Sequence, residues 1–136
     1  MKIDAELNHI NLSTVRLAEM VVFYQDILGF RVGDRPPFDN VGAWMYLEDK
    51  PLIHLTERER EQRNVEPKIN HFAFTASGMA EFITHLRAHE IPYLVRLVPE
   101  VEMRQVVIKD PDGNLFEVMF ERHEEADMSP FRWPES

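Results

Sequence analysis

The chain contains no cysteine in its 136 residues. Disulfides, thiolate metal ligands and a cysteine nucleophile are all excluded. Basic side chains are in the minority: 15 Lys and Arg against 24 Asp and Glu give a formal charge of −9. Nucleic acid and anionic membrane surfaces need a basic patch, so neither is expected as the main partner. Long apolar runs are missing as well. The opening MKIDAELNHINL has no run of signal-peptide length, and no stretch approaches the roughly 18 apolar residues of a membrane span. The expectation is a soluble, cytoplasmic protein.

Apolar residues make up 44% of the chain, enough to bury, and charged residues at 29% suit a solvated surface. The length fits one domain, or two very small modules sharing a core. A repeat favours the modules. Residues 8–13 read NHINLS and residues 70–75 read NHFAFT, at an offset of 62. Ala18-Glu19-Met20 meets Ala80-Glu81-Phe82 at the same offset.

The order of elements repeats too. A strand near 6–13 is followed by a helix near 17–28, where Leu17, Met20, Val21, Tyr24, Ile27 and Leu28 keep i, i+3, i+4 spacing. Gly29 stands where a C-terminal cap belongs. Strands then follow at Phe30-Arg31-Val32, near 42–48 and near 51–56. In the second half, a strand near 68–75 leads to a helix near 78–89, and Pro92 stops that helix. Short strands follow near 93–98, 103–109 and 114–121, the last two joined by the turn Asp110-Pro111-Asp112-Gly113. Each half therefore reads βαβββ, and the fold class is α+β, with two tandem modules forming a curved, cup-shaped mixed sheet. The expected organisation is one domain over 1–136. Module one spans about 6–56, a solvated charged linker 57–67, module two about 68–121, and a polar tail 122–136. Phe131 and Trp133, flanked by prolines in that tail, are expected to dock on this chain or on a partner.

Four ligand-type residues recur at matching places. His9 and His71 stand in the first strand of each half, His54 and Glu117 in the last strand, at offsets of 62 and 63. Glu117 lies within Leu115-Phe116-Glu117-Val118-Met119-Phe120, and burying an unpaired carboxylate costs several kcal/mol. A cation would remove that cost. Imidazole and carboxylate together suit Zn, Ni, Mn, Fe(II) or Co. A single strand His or Glu is ordinarily structural or solvent-facing; the recurrence carries the metal reading. His85, His89 and His123 break the pattern, and the first two are expected on a helix surface.

LNHINL, FYQDILGF, INHFAF and IKDPDGNLFEV, taken together over residues 6–121, resemble the vicinal oxygen chelate superfamily of glyoxalases, fosfomycin-resistance proteins and extradiol dioxygenases. The resemblance implies paired βαβββ modules curling around a divalent metal, with His9, His71 and Glu117 as ligands. Glyoxalase I usually carries Glu at the fourth position; here it is His54. Extradiol dioxygenases place a catalytic His at what looks like the His54 position, and a Tyr where this chain has Val107. Fosfomycin-modifying enzymes commonly have Thr two residues after the first His, where this chain has Asn11, and a Lys-, Arg- and Ser-rich pocket before the last strand, where it has Arg104 and Gln105.

Strand parity puts Asn11 on the His9 face, and Ala73 and Thr75 on the His71 face. In regular hairpins Trp44 and Tyr46 share parity with His54, and Gln105 and Val107 with Glu117. One bulge would reverse any of these. Asn11, Trp44, Tyr46 and Gln105 are thus candidate substrate-pocket residues, with packing as the alternative for the two aromatics. Arg35-Pro36-Pro37-Phe38 is read as a rigid loop near the mouth. The expected function is a metal-dependent enzyme of glyoxalase-like lyase or isomerase type, acting on a small oxygen-chelating molecule. His54 and Glu117 are its expected catalytic groups. Fe(II)-dependent catechol chemistry is the alternative enzyme; a drug-sequestering protein like the bleomycin-resistance proteins is the alternative of another class. A homodimer with sites shared between chains is expected.

Overall fold

The structure is a computed structural model and describes residues 1–2, 4–61, 69–98 and 103–134. The chain divides into two compact units, Met1–Arg63 and Asn64–Ser136, with the division inside the expected linker. Residues 62–68 of that linker and of the following strand's expected start lie outside the described residues.

The first unit contains β1 (Ile10–Thr14), α1 (Leu17–Asp26), β2 (Arg31–Gly33), β3 (Gly42–Leu47) and β4 (Lys50–Glu57). Its strands form one mixed sheet in the order β1-β4-β3-β2. β1 runs parallel to β4 because α1 carries the chain back across the sheet between them; the other pairs are antiparallel. α1 buries Met20, Phe23 and Tyr24. Opposite that stripe, Ala43, Met45, Ile53 and Leu55 are buried on β3 and β4. Removing side chains of this size from water contributes about 1.5–3 kcal/mol each. Gly29 ends the helix as expected. At φ 76° it lets Phe30 N–H reach the Tyr24 carbonyl at 2.9 Å while its own N–H reaches Gln25 at 3.1 Å.

The second unit repeats the plan with β5 (Phe72–Thr75), α2 (Met79–Ala88), β6 (Leu94–Val98), β7 (Met103–Lys109) and β8 (Leu115–Glu121). The sheet order is β5-β8-β7-β6, with β5 parallel to β8. α2 buries Met79, Ile83 and Leu86. The turn after β7 is held by buried Asp110, whose carboxylate accepts from Asp112 N–H at 3.0 Å, Asn114 N–H at 2.9 Å and Asn114 Nδ2 at 2.8 Å. That turn sets the β7–β8 register in which Val107 faces Glu117.

The tail docks within its own unit. Phe131 and Tyr93 exchange backbone hydrogen bonds of 2.9 and 3.0 Å and their rings stack at 5.8 Å. Lys109 Nζ sits 5.4 Å from the Trp133 ring centre. Nearer the sheet, Glu124 accepts from the backbone N–H groups of Gly78 and Met79 at 2.8 and 2.7 Å, capping α2 with a carboxylate where the helix dipole favours one. Among the described residues, no helix is long and apolar enough to cross a membrane.

Candidate metal-ligand pairs and a cavity in the first unit

Alternation along β4 decides what His54 meets. Ile53 and Leu55 go to the α1 side of the sheet, so His54 and Thr56 point to the other face. On that face His54 lies beside Trp44, its antiparallel partner, and Asn11, its parallel one. Three rings stack in a row. His54 is 4.0 Å from the His9 ring at 9° and 4.0 Å from the Trp44 ring at 12°. His54 is 8% exposed, and its Nε2 is buried without a hydrogen-bond partner among the described residues. Burial first, then the neighbouring His9, push the His54 imidazole below its ordinary pKa; a hydrogen bond to the Pro51 backbone works against them. The ring is held neutral, with a lone pair or proton to offer.

His9 and His71 each stand one residue ahead of their strands rather than inside them. Both are held in the same way. Asn8 Oδ1 meets His9 Nδ1 at 2.7 Å, and Asn70 Oδ1 meets His71 Nδ1 at 2.7 Å. An amide oxygen can only accept, so each Nδ1 carries the proton and each Nε2 keeps its lone pair. Metal-binding histidines are characteristically fixed like this, through the ring nitrogen that does not ligate. The signal lies in the sequence: Asn precedes each histidine in the repeat.

In the second unit His71 Nε2 lies 3.7 Å from Glu117 Oε1, and Gln105 Nε2 donates to Glu117 Oε2 at 2.9 Å. Glu117 is buried at 8% exposure, with one oxygen held and the other toward His71. Gln105 thus shares the Glu117 face, as parity predicts. Ala73 pairs with Glu117 on β5, and His71, Ala73 and Thr75 are all exposed. Among the described residues, no three His, Asp or Glu side chains gather into a group that could hold a metal ion; the candidate donors stand as pairs, His9 with His54 and His71 with Glu117.

A cavity of about 500 Å³ opens in the first unit beside the ring stack. Asn11 and Trp44 line it. Tyr46 and Gln105 do not line it. The β3–β4 pairing shifts register between Met45 and Leu47, and the Tyr46 ring leans toward β2. There its hydroxyl donates to the Asp34 carbonyl at 2.6 Å, and the Arg31 guanidinium lies 4.8 Å from its ring centre. The 35–38 loop does reach the cavity through Arg35 and Phe38. Asn40 and Thr56 also line it; Asn40 comes from a loop, where no periodicity marks it, and Thr56 shares the His54 face two residues further along β4. Arg35 packs against Gly42, where a Cβ would come within 2.9 Å of Arg35 Nη2. His85 and His89 are on α2 as expected, with ring centres 4.3 Å apart, and exposed His123 pairs with Glu121 at 3.1 Å.

Two tandem βαβββ units, each heading its first strand with an Asn-held histidine and setting a second ligand-type residue in its last, define an α+β protein of the glyoxalase-like fold class. Residues 6–118 match the family model described as the Glyoxalase/Bleomycin resistance protein/Dioxygenase superfamily, and the chain belongs to that superfamily. It is similar to glyoxylase I 4 of Arabidopsis thaliana, with 32% identity over 119 residues covering 82% of this chain and 68% of that protein. Among solved structures it resembles a glyoxylase/bleomycin resistance protein/dioxygenase domain from Frankia sp. EAN1pec, with a TM-score of 0.72, 19% identity, and 88% of this chain and 100% of that one covered. It also resembles a lactoylglutathione lyase from Agrobacterium tumefaciens, with a TM-score of 0.67, 23% identity, and 89% and 97% covered. At those identities the two structures bear on the fold alone.

Proposed function

We propose that the chain is a divalent-metal-dependent enzyme of lyase or isomerase type, acting on a small molecule that offers neighbouring oxygens. The observation that carries this reading is the repeated clamp: both histidines have Nδ1 tied to the preceding asparagine, which leaves Nε2 as the nitrogen for a metal, and His71 Nε2 already lies 3.7 Å from Glu117 Oε1. The buried, unpartnered Nε2 of His54 and the Glu117 oxygen directed at His71 fit the same purpose. His9, His71 and Glu117, with His54, would hold one ion of Zn, Ni, Mn, Fe(II) or Co. Such an ion supplies Lewis acidity, which lowers the cost of negative charge on a substrate oxygen.

The chain's own groups do the rest. His54 serves in one of two ways: its Nε2 completes the ligand set or, left off the ion, takes a proton from a substrate carbon or oxygen and returns it. Glu117 keeps its Oε2 on Gln105, which fixes the carboxylate so that Oε1 can share in proton movement. Trp44 and Asn11 flank His54 and bound the substrate. The likeness to glyoxylase I 4 supports lyase or isomerase chemistry over catechol cleavage, and so does Val107, which faces Glu117 where extradiol dioxygenases carry a tyrosine.

Elemental analysis of the purified protein tests the reading. About one divalent ion per chain is expected, with nickel or zinc pointing to isomerisation; iron would turn the assignment to oxygen chemistry. Absence of any bound or rebinding ion would leave the sequestering role. We further propose a homodimer whose sites are shared, with His9 and His54 from one chain and His71 and Glu117 from the other. Mixing inactive His9→Ala and Glu117→Ala subunits under exchange should restore some activity; no recovery despite proven exchange refutes the sharing.

A further inference from the structure

We propose that the cavity of the first unit takes a small planar carboxylate, an aromatic or conjugated acid, with its acid group on Arg35 and its flat body against Phe38 and Trp44. The inference rests on the enzyme reading only in taking this cavity as the substrate site.

Charge is the first observation. The chain carries 24 acidic residues and a net charge of −9, yet none of the residues lining the cavity is Asp or Glu. Its histidines aside, Arg35 is the only lining residue with a charge. The Arg35 guanidinium is held by neutral acceptors: Nη1 donates to the Asn40 carbonyl at 3.0 Å and Nη2 to Asn40 Oδ1 at 2.8 Å. Its Nε is buried without a partner, and among the described residues no carboxylate pairs with it. A buried donor left without an acceptor is costly, and an acceptor brought to it relieves that cost. A guanidinium oriented by an amide, with its charge unneutralised, is a receptor for a carboxylate.

Shape is the second. Phe38 lies at the cavity 53% exposed, and the Arg35 guanidinium sits 5.0 Å from its ring centre. Trp44 stands 6.2 Å from Phe38 at 49° and closes the other side. Apolar flat surface therefore adjoins the cation, and a planar acid would cover the ring while meeting the charge. The cavity's 500 Å³ suits a molecule of that size. Asn11 and Thr56, joined by a 3.1 Å hydrogen bond, offer neutral polar groups to further oxygens.

The test uses protein stripped of metal by chelation, so that a carboxylate cannot report by binding an ion. Trp133→Phe leaves Trp44 as the sole tryptophan, and its fluorescence reads occupancy. The probes are benzoate, the neutral isostere benzamide and the non-planar isostere cyclohexanecarboxylate. Benzoate should quench saturably and bind about tenfold tighter than either. Arg35→Gln should erase the preference for benzoate over benzamide; the probe comparison in the parent protein decides the matter even if that variant fails to fold. Equal binding of benzoate and benzamide, equal binding of cyclohexanecarboxylate, benzoate binding only after metal is restored, or no binding at all each overturn the proposal. Benzoate binding by a protein that never takes up a divalent ion would refute the metal reading and leave the ligand class standing. A metal-loaded protein that ignores benzoate does the reverse.

Discussion

The two units are one design carrying two different centres. In both, a parallel first and last strand bring an Asn-held histidine beside a residue of the last strand. In the first unit that residue is His54, with Asn11 on one side and Trp44 on the other. In the second it is Glu117, with Ala73 and Val107 in the corresponding places. The flanks suit what they hold. An imidazole gains from stacking on flat rings, worth about 0.5–1.5 kcal/mol beyond area. A buried carboxylate gains nothing from a ring face; it needs donors, and Gln105 supplies one from two residues before Val107. The backbone plan can thus be copied while the neighbours of one position decide its chemistry. The helices show the same divergence. At the start of α1 a neighbouring hydroxyl, Thr14 Oγ1, accepts from Arg16 N–H at 2.9 Å, whereas α2 takes a carboxylate, Glu124, from the tail.

Four sets of substitutions would break or sharpen this contrast. The largest effect is expected from His71→Ala. Direct metal ligands rarely have substitutes, so metal content should fall to near background, read by elemental analysis after desalting. Retention of the ion would remove His71 from the ligand set.

Next come Asn8→Ala and Asn70→Ala, taken together. If both clamps serve one purpose, each should weaken metal affinity about 10–100-fold in a chelator competition, with the circular dichroism spectrum unchanged. An effect from only one would mean that the repeated geometry is functional in one unit and inherited in the other.

His54→Glu makes the first unit imitate the second and restores the residue usual in glyoxalase I. The ion should be kept and turnover of hemithioacetals should rise. The stripped protein should lose about 2 kcal/mol in urea unfolding, because a carboxylate flanked by Trp44 lacks a Gln105 equivalent. No change in metal, activity or stability would count against a catalytic position.

The smallest effect is expected at the helix cap. Glu124→Ala should cost about 1 kcal/mol and speed hydrogen exchange at the Gly78 and Met79 amides, leaving α1 untouched. Exchange rates unchanged at both amides would show that Glu124 does not cap α2.

Much of this architecture is legible in the amino-acid order. Apolar spacing locates both helices to within two residues of their ends, and the 62-residue repeat pairs His9 with His71. Parity puts Asn11 and Trp44 beside His54, and Gln105 beside Glu117, because alternation in a strand is fixed by backbone geometry. Tyr46 keeps the Trp44 face as parity requires, but its ring lies over Gly33, held by Arg31 and the Asp34 carbonyl, and so stays out of the cavity.

By itself, then, the sequence determined the βαβββ order, its duplication and the residue types able to hold a metal, since these follow from periodicity and chemistry carried by each short segment. The tertiary structure alone decided which neighbours those residues have. The His9–His54–Trp44 stack joins β3, β4 and the residue ahead of β1, the Arg35 site needs a loop folded onto Gly42, and the α2 cap comes from 46 residues along the chain. Contacts of that kind depend on register and on where a turn sends the chain, and no local pattern encodes either.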